Sequence, residues 1–520
     1  MLQQSATIEY ATRNCIGDAL ARTVLRQENK EALVFSGRHW TYRQLDEAVN
    51  RIANQLLQEG LQPGNRVAAY GKNSDAYVLL WLACSRSGLI HVPVNYALVQ
   101  EELSYILTQS GARAVFCDDA LINNIESLQG KINADIIGSL CSETTGFQRL
   151  DILAIAYSDA STALPPIEQT ENDVVQLLYT SGTTSDPKGA MHTHRSLLSE
   201  YSSCLLHLDI KEEDRVLAGL PLYHSAQMHM VVMPSLLVGS HIHLIESPVV
   251  EQVLALMEAH RINSFFAPPT VWISLLRHPD FDKRDISGLK KLYYGASIMP
   301  EPIVAELAER LPNCGLYNCY GQSEIAPLAT VLSPEEHLRY PASAGKPIFN
   351  VQTRIVDPVT MEECLPCQQG EIVHRSPQLM VGYWDKPAET EEAFAGGWFH
   401  SGDLAYQNEE GYLFIVDRIK DVVNTGGVLV ASRDVEDALY GHPAVAEVAV
   451  IGLPHEKWIE AITAVVTLKP GCETDETELI RHAQAHLAAF KVPKAIHFVE
   501  TLPKNTAGKL LKRSLRKTFG

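Results

Sequence analysis

A chain of 520 residues exceeds what one hydrophobic core organises, so more than one domain is expected, and 46% apolar residues is ordinary for a globular protein. Lys and Arg total 43 against 62 Asp and Glu, a formal charge of −19, which argues against a general nucleic-acid binder. A compact anion is not excluded, because screening over a Debye length of about 8 Å lets local charges decide.

In chain order, Leu45, Val49, Ile52, Ala53 and Leu56 stand at helical spacing and predict a helix over 41–57 with Thr41 as its N-cap. Strands over 64–70, 89–93 and 114–117 alternate with helices over 74–87 and 100–110, which predicts an α/β domain with a largely parallel sheet. Two apolar runs, 77–94 and 230–245, are broken by Arg86 and by Pro234, Gly239 and two histidines, so neither reads as a membrane span. Ten scattered cysteines and a start with neither a basic nor an apolar leader predict a reducing, cytoplasmic setting. Cys364 and Cys367 form a C-x-x-C that no second pair completes, and read as a loop.

After a Ser-, Thr- and Pro-rich excursion over about 142–173, Val174, Val175, Leu177 and Leu178 predict a buried strand that stops at Thr180. Residues 179–189 then read Tyr-Thr-Ser-Gly-Thr-Thr-Ser-Asp-Pro-Lys-Gly. Hydroxyls at Thr180, Ser181, Thr183, Thr184 and Ser185, glycines at 182 and 189, and the cation of Lys188 suit a polyphosphate. Lysine precedes glycine here, so the loop is not the ordinary P-loop.

A helix over 194–204 and a strand over 215–220 lead to Pro221-Leu222-Tyr223-His224-Ser225-Ala226. The segments 264–270 and 291–300 read as strands ending in small or proline-rich residues, and ligands bind beyond the carboxyl ends of such strands in open parallel sheets. From about 418 to 520, helices over 435–440 and 475–489 and strands over 445–451 and 461–468 predict a separate small α+β domain.

The string at 179–189 resembles the signature of the adenylate-forming superfamily, which includes acyl-CoA synthetases, luciferases and peptide-synthetase adenylation domains. Further strings add to the resemblance: Pro221–Ala226, Asn318-Cys319-Tyr320-Gly321-Gln322-Ser323-Glu324, Gly370-Glu371-Ile372-Val373, Gly382-Tyr383-Trp384, Ser401-Gly402-Asp403, the run 411–420, and Pro503-Lys504-Asn505-Thr506-Ala507-Gly508-Lys509. Together they span nearly the whole chain. They point to a bacterial acyl-CoA synthetase or aryl-acid CoA ligase.

The resemblance implies an AMP- and acyl-binding domain over 1–416 and a mobile domain over 417–520 hinged at Asp417. Thr180, Ser181, Gly182, Thr183, Thr184 and Lys188 would hold phosphates. Gly295, Ala296, Ser297, Asn318, Cys319, Tyr320, Gly321 and Ser323 would line the adenosine and α-phosphate site, with Asp403 and Arg418 on the ribose. Glu324 and Thr184 would hold Mg²⁺, and Lys509 would bridge carboxylate and α-phosphate, with His224 beside them. Gly426, Gly427, Trp458 and Phe490 would meet CoA, although Val428-Leu429-Val430-Ala431-Ser432 and Val492 depart from the family's more polar pattern there.

An acyl pocket is expected from Tyr223, His224, Ser225, Phe266, Ala267, Trp272, Ala296, Gly321, Pro327 and Leu328. Apart from His224 none of these is charged, which suits an apolar tail. The implied reaction uses ATP, Mg²⁺ and CoA to activate a carboxylic acid, foremost a medium- to long-chain fatty acid. An aryl or alicyclic acid, and a phosphopantetheinyl carrier protein in place of CoA, stay open, as do a homodimer and peripheral contact with a membrane through the basic run Lys512, Arg513, Arg516 and Lys517.

Overall fold

The computed structural model describes residues 11–142, 150–180, 186–297, 299–426, 428–504 and 510–520. Two parallel-rich sheets form the large N-terminal part. One has six strands, in the order Ile136–Ser139, Ala112–Cys117, Arg66–Tyr70, Ile90–Val94, Val174–Thr180, Lys188–Thr193; only the last is antiparallel to its neighbour. The other has nine, with a parallel centre of Gly315–Gly321, Lys291–Gly295, Ser264–Ala267, Arg215–Ala218, His241–Leu244 and Glu31–Phe35. Antiparallel strands close it at both edges.

Helix Asp75–Ser87 is buried along its whole length, as an element apolar on every side must be in a globular fold. That accounts for the first apolar run. The second folds into the segment Ala226–Val232, helix Met233–Val238 and strand His241–Leu244, all within the core. Among the described residues no helix is long and apolar enough to cross a membrane.

The expected helix over 41–57 is Tyr42–Gln58, with Thr41 accepting from the Gln44 backbone N–H in a capping box. Sequence reading did not foresee a third sheet, four antiparallel strands Gln352–Val356, Gly370–Arg375, Phe399–Gln407 and Leu413–Arg418. Their half-buried faces carry charged and polar residues that blur the period-2 pattern. The smaller C-terminal domain is built on Val423–Thr425, Val428–Val430, Val445–His455, Ile459–Leu468 and Ala495–Phe498, with helices Ser432–Tyr440 and Glu476–His486 on its own core. The chain is thus a large α/β unit followed by a small α+β unit.

Candidate active site

Thr180 and Lys188 face each other at the ends of the antiparallel pair Val174–Thr180 and Lys188–Thr193, so the hydroxyl-rich string is a hairpin connection at a sheet edge. Ser181, Gly182, Thr183, Thr184 and Ser185 lie outside the described residues. On the other side of Lys188–Thr193 runs the segment carrying Gly382, Tyr383 and Trp384. Met191 N–H donates to the Gly382 carbonyl at 2.9 Å, and Trp384 N–H to the Gly189 carbonyl at 2.8 Å. Tyr105 Oη braces the hairpin from below, donating to the Pro187 carbonyl at 3.1 Å.

The strand Gly315–Gly321 delivers the second group of residues. Gly321 has no alternative, because a Cβ there would lie 1.8 Å from the Pro327 carbonyl oxygen. Gly295, one strand over, is equally confined, at 2.3 Å from the Cys319 carbonyl. Ser323 Oγ lies 3.0 Å from Ser225 Oγ, which joins this loop to the Tyr223-His224-Ser225 string. The Ser323 carbonyl meets Nε2 of His192 at 2.8 Å, and burial holds His192 neutral by lowering its pKa to about 4. Glu324 is only 9% exposed; its Oε1 accepts from Tyr383 Oη at 3.0 Å.

Asn318 is turned outward from this group, its amide donating to the Ser343 carbonyl at 2.8 Å, while Cys319 is buried. Ala296 takes a left-handed φ of 65° and, with Ser297, stands exposed just beyond its strand.

Tyr320 meets the third sheet. Its Oη donates to Asp403 Oδ2 at 2.6 Å, and Arg418 Nε pairs with Asp403 Oδ1 at 2.6 Å. Asp403 and Arg418 are register partners across strands Phe399–Gln407 and Leu413–Arg418, which is why residues far apart in sequence converge. Burial, then the adjacent Asp403 carboxylate, push the Tyr320 phenol up, so it remains a donor. The preceding turn is held by Glu371, which accepts from Gly402 N–H at 2.9 Å and meets His400 Nδ1 at 2.8 Å. Sequence reading singled out Glu371 only as part of a string; its reach to residue 402 needs the sheet.

The expected acid pocket is only partly assembled. Phe266, Leu328 and Cys319 share one core cluster with the half-buried Tyr223, whose ring meets Tyr96 edge-on at 5.9 Å. Ala267 and Trp272 belong to the other cluster, across the sheet, where the indole packs on Phe265 and donates to the Tyr293 carbonyl at 3.2 Å. The period of two along Ser264–Ala267 separates Phe266 from Ala267. These two residues therefore leave the expected lining. His224 caps its own turn, with Nδ1 3.4 Å from Ala226 N–H.

In the C-terminal domain, Gly426 takes a left-handed φ of 66° and donates to the Trp458 carbonyl at 2.6 Å. Lys457 and Lys494 place their ammonium groups 4.8 and 5.1 Å from the Trp458 ring. Phe490 is 45% exposed. Gly427 and Lys509 lie outside the described residues, although Lys504 and Leu510, which flank the latter's segment, pair as an antiparallel bridge. Asp417 Oδ2 accepts from both the backbone N–H and the hydroxyl of Ser432, each at 2.6 Å.

Among the described residues no group of three or more His, Cys, Asp or Glu side chains could hold a metal ion. Glu324 offers a buried carboxylate joined through Tyr383 to the Lys188 strand of the hairpin. That fits Mg²⁺, which takes one or two carboxylates and completes its octahedron with water and substrate phosphate.

Residues 20–384 match the AMP-binding enzyme family, and residues 434–509 match the AMP-binding enzyme C-terminal domain. The chain is 35% identical over 508 residues to a feruloyl-CoA synthase of Amycolatopsis sp, covering 97% of this chain and 99% of that protein. It is 33% identical over 483 residues to a long-chain-fatty-acid–CoA ligase of Mycobacterium tuberculosis, covering 92% and 93%. It also superposes on the ATP-bound crystal structure of MatB from Rhodopseudomonas palustris with a TM-score of 0.89 at 30% identity, over 97% of this chain and 99% of that one. The apo structure of the same MatB gives 0.77. The chain belongs to the AMP-binding, adenylate-forming enzymes and is an acid–thiol ligase of their AMP-forming acyl-CoA synthetase group.

Proposed function

We propose that the enzyme activates a carboxylic acid with an apolar tail as its acyl-adenylate, releasing pyrophosphate, and then passes the acyl group to CoA. The observation that carries this reading is a pair of contact chains drawn from three sheets: Lys188 and Glu324 meet on Tyr383, and Tyr320, four residues before Glu324, meets Asp403 and Arg418.

A carboxylate resists direct attack because it would have to expel oxide. Instead its oxygen attacks the α-phosphorus of ATP, the bond to the pyrophosphate oxygen breaks, and a mixed anhydride with AMP forms. Lys188 and the hydroxyls of Thr180, Ser181, Thr183 and Thr184 would hold the outgoing phosphates, Ser323 the α-phosphate, Tyr320 the adenine face and Asp403 the ribose hydroxyls, with Arg418 alongside. Mg²⁺ on Glu324, and on Thr184, would supply charge neutralisation. Lys509 would sit between carboxylate and α-phosphate, where negative charge builds. Rotation about Asp417 would then bring Gly426 and Gly427 forward to admit the thiol, with Trp458, Lys457, Lys494 and Phe490 near the CoA nucleotide.

The likeness to a feruloyl-CoA synthase favours an aryl acid, and the expected pocket residues Tyr223 and Phe266 share a core cluster in which Tyr223 meets Tyr96 edge-on. A medium- to long-chain fatty acid is the second reading, supported by the likeness to a fatty-acid ligase.

Pyrophosphate release measured across aryl, alicyclic and fatty acids, each with and without CoA, tests the whole reading. One acid class should release pyrophosphate and give its CoA ester. Pyrophosphate without a CoA ester would move the acceptor to a carrier protein. Lys509→Ala should lower adenylation on the order of 10² to 10³-fold while ATP binding is retained; equal loss of both would refute the role of Lys509.

A further inference from the structure

Tyr383 belongs to a string that the reaction as described leaves without a task. Its backbone is bridged to Ala190, two residues beyond Lys188 on the same strand face, so its ring lies diagonally across from the Lys188 side chain. The Lys188 ammonium stands 5.1 Å from the ring centroid. At the far end of the same ring, Oη donates to Glu324 Oε1 at 3.0 Å. Tyr383 is 8% exposed, and its backbone N–H is anchored on Thr390 Oγ1 at 2.9 Å, so the ring cannot swing away without unpicking the strand pairing.

One side chain thus fixes two charges of opposite sign that act on the same triphosphate. The aromatic face holds the lysine without neutralising it, as a carboxylate in that place would. The hydroxyl restrains one carboxylate oxygen and so aims the other.

We propose that Tyr383 is a positioning residue for adenylation, setting the distance and orientation between the phosphate-binding Lys188 and the metal-binding Glu324. The proposal rests on the assignment of Glu324 to the metal.

The test compares Tyr383→Phe, Tyr383→Leu and Glu324→Gln in the full-length enzyme. Mn²⁺ binding to the enzyme–ATP complex is read by electron paramagnetic resonance, metal-free ATP binding by calorimetry, and kcat and KM from pyrophosphate release. Tyr383→Phe should weaken Mn²⁺ binding and lower kcat by about 10- to 100-fold, as expected for loss of one hydrogen bond to a charged group, with metal-free ATP affinity and the KM for the acid within twofold of wild type. Tyr383→Leu should in addition weaken metal-free ATP binding, because Lys188 loses its support. Wild-type Mn²⁺ affinity and kcat in Tyr383→Phe, with Glu324→Gln impaired, would overturn this proposal alone. A Tyr383→Phe variant that loses thermal stability and acid affinity in step with activity would overturn it too, by making the tyrosine merely structural. Unchanged Mn²⁺ binding in Glu324→Gln would remove the metal assignment, and this proposal with it.

Discussion

Single residues at this site are constrained by contact distances of a few ångströms. At Gly321 the space for a Cβ is taken by the Pro327 carbonyl, so Gly321→Ala must push the 321–328 loop outward. Overpacking of this kind costs about 1–3 kcal/mol, and here it displaces Ser323 and Glu324 together. Pyrophosphate release should fall further than the drop in thermal midpoint explains; an active, slightly destabilised variant would show that the loop's position is not critical. The string around Gly321 was legible in sequence, and so were Asp403 and Arg418. Tyr383 was legible as a motif member, but its task was not, since nothing in the order of residues says that 383 lies across a strand from 190.

Whole elements carry the next layer of constraint. The third sheet carries Asp403 and Arg418, proposed for the nucleoside, and Glu371 ties the turn before Asp403 by accepting from Gly402 N–H while meeting His400. Glu371→Ala leaves that N–H without its partner, a loss of about 1–3 kcal/mol. ATP affinity should weaken by about threefold or more through misplacement of Asp403, measured calorimetrically; unchanged affinity would separate the turn from ribose binding.

A second device joins helix His194–His207 to the 321–328 loop. Glu200, fully buried and pushed up to about 8 by that burial, accepts from Leu328 N–H at 3.0 Å and from the Cys204 thiol, and Gln378 spans from Glu200 to the Leu328 carbonyl. The helices over 41–57, 74–87, 100–110 and 194–204 and the parallel strands over 64–70, 89–93 and 114–117 were legible because their apolar patterns are strong, whereas helix Ile16–Gln27 and strand Glu31–Phe35 were not singled out. The antiparallel sheet was missed because its alternation is diluted by residues such as Glu371, His400 and Asp403 that serve the site rather than the core.

At the scale of the whole molecule, burial of histidines governs acid sensitivity. Desolvation lowers His91, His243 and His374 to about 3 and His192, His194 and His241 to about 4. Unfolded, these imidazoles take up protons near pH 6.5; folded, they stay neutral down to 3–4. The unfolded state therefore binds more protons in that window, and stability is lost as pH falls below about 6.5. Glu200 has the opposite sign, since its raised carboxyl favours the folded state less as pH rises from about 4.5 to 8, but it is one group against several. The thermal midpoint should decline steadily from pH 6.5 to 4.5, and a flat profile would mean that these imidazoles are already charged in the fold.

Sequence by itself determined the chemistry class, because the short strings at 179–189, 318–324, 401–403 and 503–509 carry the family resemblance that the family match bears out. It also indicated a largely parallel core, through the alternation of apolar strand runs with helical patterns. Only the tertiary structure decided which face each side chain occupies, separating Phe266 from Ala267 and Trp272, and only it joined Lys188 to Tyr383 and Tyr383 to Glu324. Those pairings follow from strand register and from which sheet edges meet. Both are settled by the packing of residues hundreds of positions apart, and no local pattern encodes them.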